Sequence, residues 1–125
     1  MVRDVLATVA LHAEVVGALR RARVLVAREP HAIEAMTAHV QGCSSDGEYA
    51  RRVGRAVSRS ARFVPRSTCL IAAVAGYEVL ARRGIRGTLC LGHDALPGAN
   101  FVAHAWLELN GQAVVGLPSS RRFAR

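Results

Sequence analysis

Apolar residues recur at helical spacing through the first fifth of the chain. Val2, Val5, Leu6, Val9, Ala13 and Val16 share one side, while Arg3, Asp4, His12, Glu14, Arg20, Arg21 and Arg23 break up any continuous apolar run. The pattern predicts an amphipathic helix over residues 1–26 whose apolar stripe packs on the domain, with the groove of a partner protein as the alternative. Its longest uncharged run, Val5 to Ala13, contains His12 and falls well short of the ~20 residues a membrane-spanning helix needs. A second helix is predicted from Pro30, a residue suited to the first helical position, with Ile33, Met36 and Val40 on one side. Gln41 to Asp46 reads as a linker. Ser45 and Glu48 form a capping box for a third helix through about Arg62, with Tyr49, Val53, Ala56 and Val57 on its inner face.

Pro65 cannot continue that helix, and Ser67 or Thr68 can cap a new one. From Leu70 onward Ile71, Ala73, Val74, Ala75, Tyr77, Val79 and Leu80 leave almost no polar face. This helix is therefore predicted to run through the middle of the domain until Gly84 ends it, holding Cys69 at its start on a rigid, buried element. Two strands follow, Ile85 to Leu91 and Phe101 to Leu109. In the second, Ala103, Ala105, Leu107 and Leu109 face one way and His104, Trp106 and Glu108 the other. Asn110-Gly111 predicts a two-residue hairpin into a third strand, Gln112 to Val115. Residues 93–100 read as a loop at the His104 end of the sheet, and the tail after Val115, with its Gly, Pro and two Ser, is expected to have little regular structure. The expected architecture is α+β in a single domain, residues 1–125. A helical portion (1–64) precedes the nucleophile-bearing helix packed on a small antiparallel sheet (65–115), and a tail (116–125) follows.

Two of these elements carry chemistry. A thiol at a helix start meets unpaired backbone N–H groups and a dipole that favour negative charge, which makes Cys69 a candidate nucleophile. His104 on a neighbouring strand is the candidate base. The succession Arg66-Ser67-Thr68-Cys69-Leu70, Arg83-Gly84-Ile85, Ala103-His104-Ala105-Trp106-Leu107-Glu108 and Asn110-Gly111 resembles, over roughly Arg55 to Val115, the transglutaminase-like leader peptidases of lasso peptide biosynthesis. The Ala-His-Ala-Trp-aliphatic-Glu run is its most specific part.

The resemblance implies a papain/transglutaminase-type fold and a cysteine peptidase that removes the leader from a ribosomally synthesised precursor, with the Cys69 thiolate as nucleophile, His104 as base and no cofactor. The implied partners are the precursor peptide, an ATP-dependent lasso cyclase that receives the core peptide, and a separate leader-recognition protein. A separate protein is expected because the residues before Cys69 read as helical, not as a strand-rich recognition module. The third catalytic residue of the family is often an acid shortly after the hairpin, where this chain has Gly116 or Leu117. Asp94 and Asn100 are the candidates to orient the imidazole instead. Glu108 is a poor substitute, since four residues along a strand place it about 13 Å from His104. Trp106, on the strand face of His104, is a candidate wall of the cleft and equally a core aromatic. A thiol acyltransferase using the same two residues, and a catalytically impaired binding or scaffold protein of the same fold, are the alternatives.

Charge adds a surface to this picture. Seventeen basic residues against nine acidic ones give a net charge of +8, and every basic residue is arginine. Arg52, Arg55, Arg59, Arg62 and Arg66 recur at spacings of three and four, a basic stripe for as long as the helix lasts. Arg52, Arg55, Arg59 and Arg62 are candidates for docking an acidic partner, with a merely solvated face as the alternative. Nucleic acid is disfavoured, because the chain has only three Phe, two Tyr and one Trp to stack bases. At 125 residues and 51% hydrophobic content the chain can bury one sizeable core.

Cys43, in Gly-Cys-Ser-Ser-Asp-Gly, reads as an exposed thiol, and Cys90, between Leu89 and Leu91, as a core residue. A zinc site from Cys90, His93 and Cys69 or His104 lacks any Cys-x-x-Cys pair, so no metal is expected. Three cysteines without a secretory signal predict a reducing, cytoplasmic setting.

Overall fold

A computed structural model of the protein describes residues 2–38, 47–94, 103–116 and 123–124. Four helices precede the strands among these residues: α1 (Val2–Arg28), α2 (Pro30–Met36), α3 (Gly47–Ala61) and α4 (Cys69–Ala81). The strands are β1 (Thr88–Asp94), β2 (Ala103–Leu109), β3 (Gln112–Val115) and the two-residue β4 (Phe123–Ala124).

The architecture is α+β, and α4 is its axis. Ile71, Ala73, Val74, Ala75, Gly76, Val79 and Leu80 are all buried, because α1 and α3 pack against the helix along with the sheet. A segment apolar all round finds a low-energy position only between two layers. Its one charged side chain, Glu78, binds Arg21 of α1 at 2.7 Å and Arg82 at 3.2 Å. The chain leaves the helix through Gly84, whose φ of +73° suits glycine, and Ile85 N–H donates back to the Leu80 carbonyl.

The sheet is antiparallel in the order β3-β2-β1-β4. Asn110 and Gly111 both take positive φ, 53° and 79°, in the tight turn between β2 and β3. Both values match the left-handed pair that a type I′ hairpin requires. On the core face Leu89, Leu107, Leu109 and Val115 join the helices in one cluster. The pairing of β2 with β3 shifts register between Leu107 and Glu108, so Val114 is an extra residue opposite that step.

Several expectations are corrected. The stripe packed by α1 is not the one headed by Val5, Leu6 and Val9, which are about 60% exposed. It is Leu11, Val15, Ala18, Leu19 and Ala22, in a helix against which α3 and α4 pack. The strand expected over Ile85 to Leu91 lies three residues later, because Ile85 is still used in closing α4. His93 and Asp94, expected in a loop, therefore belong to β1. The tail contributes β4, which pairs with His93 and Asp94. Val40, Cys43 and the Ser45 half of the capping box lie outside the described residues. No described helix is long and apolar enough to cross a membrane.

Candidate active site

Thr68 is the N-cap of α4. Its extended backbone (φ −80°, ψ 170°) turns the chain into the helix, and its Oγ1 accepts from the Ile71 N–H at 3.3 Å while its carbonyl accepts from Ala72. Of the first-turn donors this leaves the amides of Cys69 and Leu70 unused by the cap. Cys69 is exposed, which corrects the expectation of a buried position: the helix is buried along its length, but its first residue lies at the open end. Ser67, the other candidate cap, has an enclosed hydroxyl with no hydrogen-bond partner among the described residues. Arg66 takes φ 63°, an uncommon conformation for a residue with a side chain, in the turn that brings α3 round to α4.

His104 is the second residue of β2, opposite Gly92 of β1. It is half-buried, with Nε2 fully enclosed. Ala105, Leu107 and Leu109 are buried on one face of the strand, so alternation gives His104 the face of Trp106 and Glu108. On that face the Trp106 Nε1–H donates to Glu108 Oε2 at 2.8 Å, and Trp106 stands across from Cys90. Both Trp106 and Cys90 are buried, yet neither joins the main core cluster. Glu108 Oε2 thus accepts from Trp106. Gly87, just past α4, approaches Leu107 and Glu108.

Of the two positions expected to carry an acid, Gly116 is the one described, and it is strained for any side chain. Gly116 has φ +90°, and a Cβ there would lie 3.2 Å from the Ala105 carbonyl oxygen and 3.7 Å from Trp106 Cα. A side chain there would be strained by the backbone and would press on the Ala105 carbonyl. Leu117 and Asn100 lie outside the described residues, and Asp94 is a β1 residue paired with Phe123.

The arginines divide. Arg51, Arg55, Arg59 and Arg62 line a groove of about 600 Å³ with Gly54 and Ser58 of α3 and Ala113 to Gly116 of the β3 segment. Arg52 belongs instead to a smaller groove against Thr8, Leu11 and His12 of α1, which Arg55 and Arg59 also border. The four-residue step from Arg55 back to Arg51 is the signal that would have found the missing member, since it continues the groove face where Arg52 leaves it. Among the described residues no three His, Cys, Asp or Glu side chains gather at one point.

The sequence profile of the transglutaminase-like superfamily matches residues 5–125. No curated protein and no solved structure matches the chain.

Proposed function

Because the chain belongs to the transglutaminase-like superfamily, whose members are generally cysteine peptidases or acyltransferases, we propose that it is a cysteine peptidase that removes the leader from a lasso precursor peptide. The observation that carries the reading is the exposed thiol at the capped start of an otherwise buried helix. The histidine motif on β2 accompanies it. In this mechanism His104 accepts the thiol proton as Cys69 Sγ attacks the carbonyl carbon at the leader–core junction. The amides of Cys69 and Leu70, left free by the Thr68 cap, are the donors for the oxyanion. The tetrahedral adduct collapses, the C–N bond breaks, and His104 returns the proton to the departing amine. Water then attacks the thioester, His104 takes its proton, and the carboxylic acid leaves as the thiol is restored.

An orienting acid is absent at Gly116, and its loss weakens such sites without abolishing the covalent chemistry. The same absence favours the alternative of a catalytically impaired binding protein. The partners in this reading are the precursor, a separate leader-recognition protein and the ATP-dependent cyclase, in a cytoplasmic setting.

Incubation with precursor-like peptides, with and without a primary amine in excess, tests the reading by product mass. A peptidase gives the free acid, and an acyltransferase gives the amide. No product from wild type, or the same product from Cys69→Ala, overturns both.

A further inference from the structure

The groove between α3 and β3 assigns the basic stripe a ligand: we propose that it holds an acidic, extended stretch of the peptide whose bond Cys69 cleaves, an inference that rests on the peptidase reading. Four guanidinium groups line the groove and no carboxylate does. None of the four has an ion-pair partner among the described residues, where the pairs found are Arg21–Glu78 and Arg82–Glu78. Charges of one sign spaced three and four apart on a helix repel one another, and an incoming row of carboxylates relieves that repulsion.

The shape suits a peptide. At Gly54 the backbone of α3 sits directly against the Val114 carbonyl, so α3 supplies one wall of the groove and the β3 segment the other. Ala113, Val114 and Val115 give it apolar and main-chain surface, and no aromatic ring lines it for stacking bases.

Its course leads toward the site. Because β2 and β3 are antiparallel, Gly116 lies at the His104 end of β2, and it packs on Ala105 and Trp106, which follow His104. Arg62, among the lining residues, begins the connection from α3 to Cys69. A chain lying along Ala113 to Gly116 therefore runs toward the end of the sheet that bears His104. Its acidic residues would lie along the arginines and its scissile bond beyond them.

Fluorescence anisotropy of the full chain with a fluorescein-labelled Glu-rich peptide tests this. A neutral Gln analogue and an oligothymidylate of equal charge are the controls. Two triple variants that remove equal charge are compared: R51Q/R55Q/R59Q in the groove and R20Q/R23Q/R28Q on α1. The groove variant is expected to weaken binding at least about tenfold and the α1 variant less than about threefold. Cys69→Ala should bind as wild type does. Equal weakening by the two triples, a Gln peptide or oligothymidylate that binds as tightly, or no binding of the Glu peptide overturns the proposal. Amide chemical shifts of the wild-type chain give a second readout that needs no variant: changes at Arg51–Arg62 and Ala113–Gly116 support it, and changes confined to α1 overturn it. Binding is read without turnover, so a failed groove leaves the product-mass result unaffected, and an inactive thiol leaves the binding result unaffected.

Discussion

A methyl group at Gly54 would have to occupy the space of the Val114 carbonyl oxygen, 1.8 Å from where its carbon would sit. Neither backbone can yield without separating α3 from β3, so Gly54→Ala is expected to destabilise the fold by about 1–3 kcal/mol. Gly47→Ala, at the start of the same helix and with only the flexible tip of Arg51 nearby at 3.8 Å among the described residues, should be neutral or slightly stabilising. Urea denaturation of the pair checks this, and equal midpoints would refute the close approach. Gly54 is also where local reading stops. A glycine inside a helical pattern shows nothing of a strand sixty positions later, whereas the Thr68 cap and the Asn110-Gly111 turn are set by their immediate neighbours and could be read directly. The same limit explains the exchange of Arg51 for Arg52: both are helical and exposed, and only the position of β3 decides which one faces the groove.

At the scale of elements, α4 owes its start to one hydroxyl. Thr68→Ala removes the acceptor for Ile71 N–H and should lower stability by about 0.5–2 kcal/mol, with Thr68→Ser restoring most of it; thermal denaturation of the two variants measures the difference. The long helix α1 divides into two regimes. Leu19 is fully buried among the helices, so Leu19→Ala should lose about 2–5 kcal/mol. Val5→Ser and Val9→Ser, at exposed sites, should stay within about 0.5 kcal/mol of wild type. The helical period of α1 was legible, but its packed face was not. The segment carries apolar residues on more than one side, and only the packing of α3 and α4 selects which are buried. The strand over Ile85 to Leu91 was displaced for a related reason: the apolar Ile85 closes α4 before the sheet begins.

For the whole molecule, the order of helices then hairpin, the α+β class and the central position of α4 follow from periodicity and turn chemistry, and were legible. The Cys69 and His104 motifs were legible as local patterns. The groove was not, because its two walls come from α3 and β3 and meet only in the folded chain. The brief β4 was missed because two residues of pairing leave no periodic trace.

The central claim is that the exposed Cys69 thiol is activated by His104. Iodoacetamide labelling of the full chain at neutral pH, followed at Cys69 by peptide mass spectrometry in wild type and His104→Ala, tests it most directly. The account predicts rapid modification of Cys69 in wild type, ahead of the buried Cys90, slowed at least about tenfold by His104→Ala. Equal rates at Cys69 in the two proteins would contradict it.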